Sequence, residues 1–295
     1  MRSKTISGLL TVFHKELADI FTSWRFIILF LIIFAVGIVA IYIDAQYIKQ
    51  WVVEPQFIFL QLYTTSGQAL PVFILFIAFF MPVVGIILGF DAINNEQNNG
   101  TMSRLLSQPI YRDSVINGKF LAGIVTIAIM LTSLVLLVGG LGLRMIGIPP
   151  TSEEAVRLMS FLIISIVYGA FWLGVAMLFS VFFRRVATSA LASIAIWMLF
   201  GFMGFMFMFP SFLQLGQRAF TIMQASPVAL FWQITILLLI PTAAVQEGAL
   251  VPTSALPIGQ SLLIAWPYLV SIIALTVVCF AISYIKFMRQ EIRST

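Results

Sequence analysis

The sequence predicts an all-α membrane protein with six transmembrane helices, an interfacial amphipathic helix at its N-terminus and a short helix in one inner loop. Three observations support this fold class. Of the 295 residues, 61% are hydrophobic and 9% are charged, whereas a globular protein is usually about half apolar. The mean hydropathy is +1.08. Six apolar runs carry no charged side chain in their interiors.

Each of the six runs has about 18 residues or more, which is enough to cross a hydrocarbon core about 30 Å thick. A tight turn at Arg184 and Arg185 separates the fourth run from the fifth. Thr151 and Glu154 form a capping-box pattern that leads into the fourth run. We assign the whole chain, 1–295, to a single transmembrane domain. The predicted spans are 26–43, 70–90, 120–143, 158–183, 186–209 and 262–285.

The basic residues predict the orientation, because loops on the cytoplasmic side of a membrane carry an excess of Lys and Arg. With the N-terminus inside, twelve of the 16 Lys and Arg residues fall in inner segments. The other four are Lys49, Arg144, Arg157 and Arg218. The sequence therefore predicts a multi-pass protein of the cytoplasmic membrane with both termini in the cytoplasm. Basic residues at span ends also explain the net charge of +5 without a nucleic-acid partner.

Residues 1–25 are predicted to form an interfacial elbow helix. Apolar residues recur along this segment at helical spacing, while Lys15, Glu16 and Asp19 point elsewhere. Such a helix lies in the plane of the membrane interface with its apolar face in the lipid. The pattern leaves two roles open, a simple lipid anchor or a helix that also contacts a cytoplasmic partner.

Residues 210–260 are predicted to form a long, mostly apolar outer loop that contains a helix. The apolar stretch 227–240 is bracketed by Pro227 and Pro241 and has only about 14 residues, which is short for a span. Counting it as a span would place the basic C-terminal residues outside, against the charge rule. We interpret it as a re-entrant or interfacial helix, and the sequence does not decide between the two.

Several function classes are disfavoured by what the sequence lacks. Ion-coupled transporters place Asp, Glu, His, Lys or Arg inside the membrane, and the predicted spans contain none of these residues. The sequence has no G-x-x-x-x-G-K-S/T loop, and therefore no P-loop. Its single histidine, His14, and single cysteine, Cys279, form neither a metal site nor a disulfide framework. We expect no catalytic residue, metal or cofactor in this chain, so energy for any driven transport must come from another subunit.

The inner segment 91–114, called here the signature loop, is the most informative stretch. The second span is predicted to continue as a polar helix through Glu96 and to break at Gly100, which tolerates the left-handed conformation of a helix C-cap. Thr101 is suited to cap a new short helix, and Pro109 ends it. Its apolar face comprises Met102, Leu105 and Leu106. An exposed apolar helix of this kind predicts a groove in a partner; an ordinary polar loop with some local helix is the alternative.

This loop resembles the integral-membrane permeases of ABC-type exporters, the type-two permease family. Their signature, E-x-x-x-G-T-x-x-x-L-L-x-x-P-x-x-R, is matched here by Glu96, Gly100, Thr101, Leu105, Leu106, Pro109 and Arg112. The pair Gly118-Lys119 resembles the family's G-K at the start of the third span. The run Lys15-Glu16-Leu17 resembles its amphipathic K-E-L start. Within the family, Asp91-Ala92-Ile93 and Gly100-Thr101 resemble in particular the permeases of nitrous-oxide reductase maturation systems, a likeness that does not identify a substrate.

The resemblance implies a non-catalytic permease half that works with a separate P-loop ATPase subunit, which binds ATP and Mg, and with a second permease half, either an identical chain or a sibling. The helix around residues 101–108, which includes Arg104, would be the coupling helix that sits in a groove of the ATPase. Glu96 is predicted to face the positive end of that helix or a basic group on the partner. Two alternatives remain: a membrane-anchoring subunit that moves nothing, and a passive channel, which needs a more hydrophilic face on its spans.

The fifth span carries small residues, Gly201 and Gly204, that allow close backbone approach between membrane helices. We predict that they form the contact with the second permease half. The second and fifth spans are also rich in Phe and Met, which provide adaptable apolar surface. That surface suits a hydrophobic or amphipathic cargo, but it suits lipid or helix packing equally well, and no substrate follows from the sequence.

Overall fold

The computed structural model of the chain describes residues 2–50, 57–64, 72–101, 111–207, 217–240, 243–246, 249–252 and 255–290. Within these ranges the chain is almost entirely helical. The helices are α1 (Arg2–Thr22), α2 (Trp24–Gln50), α3 (Ile58–Thr64), α4 (Val72–Gly89), α5 (Asn94–Asn98), α6 (Arg112–Ile146), α7 (Ser152–Phe182), α8 (Val186–Phe207), α9 (Gln217–Gln224), α10 (Pro227–Leu239) and α11 (Ile258–Arg289). Two short strands, β1 (Ala243–Gln246) and β2 (Ala249–Pro252), pair antiparallel.

Six of the described helices are long and apolar enough to cross a membrane: α2, α4 with its continuation into α5, α6, α7, α8 and α11. The six predicted spans and the all-α membrane fold are therefore confirmed. The helices α6 and α7 begin earlier than the predicted spans, in polar sequence that apolar windows do not detect. The β1–β2 hairpin was not predicted, and it lies within the segment predicted to be the outer loop.

Helix α7 forms the centre of the bundle. In its apolar stretch 78% of the residues are buried inside the chain, compared with 17% for α8 and 11% for α11. Helix α4 approaches α7 closely through two glycines: a Cβ on Gly85 would lie 2.8 Å from the backbone nitrogen of Leu173, and a Cβ on Gly89 would lie 2.8 Å from the Cβ of Ala176. Small residues at this spacing let membrane helices pack backbone against backbone.

Three helix ends are well defined in the structure, and the first and third of them agree with the sequence prediction. The capping box at the start of α7 is present, with Glu154 donating its backbone N–H to the Thr151 hydroxyl and accepting from the Thr151 backbone N–H. Gly147 ends α6 with a left-handed φ of 80°. Arg184 lies in the short bend between α7 and α8. Glu154 does more than predicted, because its buried carboxylate also accepts the backbone N–H of Phe59 at 2.8 Å, in the first turn of α3.

Helix α10 covers most of the apolar stretch that the sequence left ambiguous, and every residue in it is buried. Pro227 occupies its first turn and the Ser226 hydroxyl caps it by accepting from the Ala229 backbone N–H. The helix lies alongside α7, where the Phe231 and Tyr168 rings stack with centroids 4.2 Å apart. Its 13 residues extend about 20 Å. A helix enclosed on all sides by its own chain does not lie on the bundle surface; its depth relative to the lipid stays a prediction.

Candidate functional site

The described part of the signature loop lies where the ends of α1, α6, α7 and α11 converge. After α4 ends at Gly89, a turn leads into α5, and Gly100 then adopts a left-handed φ of 66°. The Thr101 hydroxyl donates to the Glu96 carbonyl at 3.2 Å, which closes the turn. The predicted helix break at Gly100 is thus present. The residues Arg104, Leu105, Leu106 and Pro109 lie outside the described ranges.

Four charged side chains, called here the charge cluster, join three helices at this end of the bundle: Lys15, Glu16, Glu96 and Lys119. The Lys119 ammonium donates to Glu16 Oε1 and to Glu96 Oε1, each at 2.8 Å. Lys15 donates to Glu16 at 2.9 Å and to Glu96 at 3.5 Å. Helix α1, the signature loop and α6 are therefore held together by one network of ion pairs.

The centre of this network is largely shielded from water. The Lys119 side chain is 5% exposed and the Glu16 and Glu96 side chains are 14% exposed. Burial acts to raise the pKa of Glu16, but Lys119 and Lys15 outweigh it and hold that pKa below its ordinary value. Burial likewise acts to lower the pKa of Lys15, and Glu16 and Glu96 outweigh it and raise that pKa. Both shifts favour the charged forms of Glu16 and Lys15, so these two side chains are ionised at neutral pH.

Close packing of α1 on α6 brings the cluster together. Val12 of α1 is buried against Gly118, where an added Cβ would lie 2.9 Å from the valine Cγ1. Gly118 directly precedes Lys119, so the absence of a side chain at residue 118 lets α1 approach and the next residue reach Glu16. Both residues of the Gly118-Lys119 pair, which the sequence pattern indicated, therefore have a physical role.

Within the described residues, Glu96 has partners that the sequence did not predict. The sequence placed Glu96 opposite the helix that starts near Thr101 or opposite a base on a partner protein. In the structure its bases are Lys119 and Lys15 of the same chain. Its other oxygen, Oε2, is buried and has no hydrogen-bond partner among the described residues. These contacts join residues far apart in the sequence, which a local motif does not reveal. The predicted position of Glu96 opposite the helix near Thr101 or a partner base stays a prediction, because residues 102–110 lie outside the described ranges.

Backbone N–H groups and amide side chains bind the other side of the loop to α7 and to the turn between α7 and α8. The backbone N–H groups of Ile93 and Asn94 both donate to the Ser180 hydroxyl, at 2.9 and 3.2 Å. The Asn94 side-chain amide donates to the Phe183 carbonyl at 3.3 Å, and that of Asn98 donates to the Arg184 carbonyl at 2.9 Å. These roles were not predicted, although the amide-rich run 94–99 is unusual and could have indicated them.

Gln290 links the loop to the C-terminal end of α11. Its side-chain oxygen accepts from the Gln97 amide at 3.1 Å, and its own amide donates to the Val181 carbonyl at 2.8 Å. Arg112, at the start of α6, donates to the Gln290 carbonyl at 2.9 Å. Arg112 of the signature therefore fastens α6 to α11. Gln290 was not predicted, and no sequence pattern marks it.

A cleft of about 830 Å³ opens beside the charge cluster, between α1, the start of α2 and the signature loop. Arg25 forms an ion pair with Asp91 in its wall, and the Arg25 guanidinium carbon lies 5.5 Å from the centre of the Phe90 ring. The lining carries both signs of charge.

Three further predicted residues lie elsewhere. Leu17 of α1 is half-buried. Gly201 and Gly204 of α8 are both buried within the chain. A Cβ on Gly204 would lie 2.5 Å from Val228 Cγ1 of α10, and one on Gly201 would lie 3.7 Å from the Phe79 ring of α4. The close approach that these glycines allow is made to helices of the same chain. Their predicted contact with a second permease half stays untested.

Comparison with known proteins gives two results. The family model described as "ABC-2 family transporter protein" matches residues 10–292. A curated relative, the "Probable ABC transporter permease protein NosY" of Pseudomonas aeruginosa, is 31% identical over 83 residues. That alignment covers 28% of this chain and 29% of the relative, so less than a third of the relative's length is matched. The family match spans nearly the whole chain and confirms the family resemblance seen in the signature loop.

Proposed function

We propose that this chain, which belongs to the ABC-2 transporter family and is a membrane permease subunit, couples ATP hydrolysis by a separate ATPase to export of a substrate across the cytoplasmic membrane. One observation carries the proposal. The loop that bears the family signature is tied by ion pairs and hydrogen bonds to α1, α6, α7 and α11, and it continues directly from α4.

These connections are suited to transmit force. A displacement of the loop moves α4 by covalent continuity, α1 and α6 through Lys119, and α7 through Ser180. In coupling of this kind the ATPase shifts the permease between two conformations, which requires that the ATPase contact the loop differently in each of its own two states. The partner proposed here is a P-loop ATPase subunit that binds ATP and Mg, and its docking element is the predicted coupling helix around residues 101–108.

The orientation and assembly are part of the same proposal. The excess of basic residues in the segments at the loop end supports a cytoplasmic location for the signature loop and both termini. A second permease half, identical or a sibling, completes the membrane part. The transported substrate is not part of the proposal.

A membrane-anchoring subunit that moves no substrate is the main alternative. An anchor needs a docking helix, but it has no need to connect that helix to the ends of several spans. The charge cluster and the Gln290 links therefore favour the permease role.

The decisive experiment changes Leu105→Ala together with Leu106→Ala. If these leucines sit in a groove of the ATPase, their truncation should cost about 2 to 5 kcal/mol, as at an interface hot spot, and weaken the complex more than tenfold. Both are predicted on the aqueous side, so the spans should still insert. The measurement is copurification of the ATPase with the permease, with membrane expression followed in parallel.

The matched control is Leu262→Ala with Leu263→Ala, an adjacent leucine pair on α11 whose side chains are exposed. It removes the same atoms at a distance from the loop and should leave the complex intact. A fully active complex from the Leu105/Leu106 variant would contradict the assignment of a coupling helix to residues 101–108. Equal losses in both variants would show that leucine truncation acts on folding alone.

The proposed orientation predicts the labelling of two introduced cysteines. In a Cys279→Ala background, Thr253→Cys should react with an impermeant thiol reagent added to intact cells. Ser294→Cys should react only after the cells are opened. Both positions lie outside the described residues, so this prediction comes from the sequence. Labelling of residue 294 in intact cells would overturn the proposed topology.

A further inference from the structure

Helix α4, which runs from the signature loop into the centre of the bundle, contains a proline at residue 82. Proline has no backbone N–H, so the carbonyl of the residue four positions earlier, Ala78, lacks its usual helix donor. Ala78 is fully buried. In a membrane, where no water is present to replace the lost bond, an unpaired carbonyl costs several kcal/mol. The break therefore needs a donor from a neighbouring helix.

Tyr168 of α7 supplies that donor. Its hydroxyl donates to the Ala78 carbonyl at 2.8 Å, and the whole side chain is buried. The Tyr168 ring stacks on Phe231 of α10, with the ring planes inclined by 13°. One side chain thus contacts the break in α4 through its hydroxyl and helix α10 through its ring.

The two parts of α4 on either side of residue 82 are held differently. On the loop side, Gly85 and Gly89 pack directly against the α7 backbone near Leu173 and against Ala176. On the far side, the Ala78 carbonyl is tied to α7 by the Tyr168 hydroxyl. A helix with an interrupted hydrogen-bond ladder bends most easily at the interruption. Buried apolar side chains hold both parts, for example Ile77 on the far side and Ile86 on the loop side. Loss of this single bond would therefore free the angle between the two parts of α4 without unpacking either of them.

We propose that Pro82 is a hinge in α4 and that Tyr168 is the positioning residue that locks it. The hydroxyl replaces the missing helix bond and fixes the angle between the two parts of α4. The part of this inference that concerns transport rests on the proposed function. A loop displaced by an ATPase would move α4, and the locked hinge would transmit that movement to α10 through the Tyr168 ring. The lock itself is a property of the chain alone.

The test is a double-mutant cycle read out by amide hydrogen exchange of the purified permease. Tyr168→Phe removes the hydroxyl and keeps the ring and its stacking. Exchange in α4 should then rise about three- to twentyfold, the range expected from hydrogen bonds measured between membrane helices. Exchange in α6 and α11 should not change, because the release is local. Adding Pro82→Ala restores an N–H four residues after Ala78, so Tyr168→Phe should have little effect in that background.

The matched control is Tyr63→Phe. The Tyr63 hydroxyl is also buried and donates to a backbone carbonyl, that of Val135, at 3.0 Å. Four residues after Val135 stands Gly139, which has an N–H, so this carbonyl does not depend on the tyrosine and the change should be smaller.

Two results would overturn the proposal. One is an equal rise in exchange throughout the protein in Tyr168→Phe, which would indicate general destabilisation. The other is an undiminished effect of Tyr168→Phe when Pro82→Ala is present. No ATPase is needed for this experiment, so failure of the proposed coupling function would leave its outcome unaffected.

Discussion

Replacing Arg157 by methionine should lower the free energy of unfolding by about 3 to 5 kcal/mol, because it leaves at least two hydrogen-bond acceptors inside the chain without their donor, at about 1 to 3 kcal/mol each. The Arg157 side chain is completely buried. It donates to Glu153 at 2.8 Å, to the Leu238 carbonyl at 3.0 Å and to the Ser261 hydroxyl at 3.3 Å. Leu238 lies in the last turn of α10, where the helix itself supplies no donor. One guanidinium therefore holds α7, α10 and α11 together.

The measurement is thermal or denaturant unfolding in detergent, followed by tryptophan fluorescence. Arg144→Met is the matched control, since Arg144 is exposed in the last turn of α6 and its loss should cost little. Arg157→Lys keeps the charge but not the planar set of donors, so it should recover only part of the stability. Equal stabilities for Arg157→Met and Arg144→Met would show that the buried network contributes nothing.

The membrane fold could be predicted because hydrophobicity and length alone determine which helices cross a bilayer. All six spans were found in this way. The polar ends of these helices were not found. Helix α6 starts at Arg112 and α7 at Ser152, before the predicted spans, because a helix continues through polar residues once it leaves the lipid. Packing partners were also beyond reach, since lipid is as apolar as a helix interface and leaves no compositional trace. Gly204 illustrates this: its small size was noticed, but its neighbour is Val228 of the same chain.

The candidate site was predicted in part. The signature marked Glu96, Gly100 and Arg112, and the left-handed Gly100 follows directly from local chemistry. The pairing of Glu96 with Lys119 did not follow, because residues 16, 96 and 119 meet only once α1 packs on α6. Buried polar groups at span ends were missed for the same reason, with Arg157 the clearest case. Sequence patterns identify residues suited to a role, whereas tertiary contacts decide which of them meet.

Lys119→Met should produce the second large effect, again about 3 to 5 kcal/mol. The substitution removes the ammonium that separates Glu16 from Glu96 and leaves two poorly hydrated carboxylates facing each other. Lys15 compensates only in part, because its side chain is 48% exposed and, although it lies 2.9 Å from Glu16, its contact with Glu96 is 3.5 Å long. Adding Glu96→Gln to Lys119→Met removes the repulsion and should restore part of the stability. Lys286→Met is the control. Lys286 is exposed in the last turn of α11, and its one contact seen among the described residues is with the Phe182 ring, whose centre lies 5.4 Å from the ammonium nitrogen.

The pH dependence of stability should differ between this variant and the native chain. In the native chain the pKa of Glu16 lies below its ordinary value of 4.5, so its ion pair stabilises the fold above that value and the contribution is lost as the pH falls through the lowered pKa. The contribution of Glu16 to stability should therefore be constant between about pH 7 and 5 and be lost in more acidic solution. In Lys119→Met, repulsion between the two carboxylates raises the pKa of one of them above its unfolded value. Protonation then relieves the repulsion, and the unfolding temperature should rise as the pH is lowered from about 7 to 5. Parallel pH profiles for the two proteins would show that Lys119 does not hold Glu16 and Glu96 together, and the link from the signature loop to α1 would lose its physical basis.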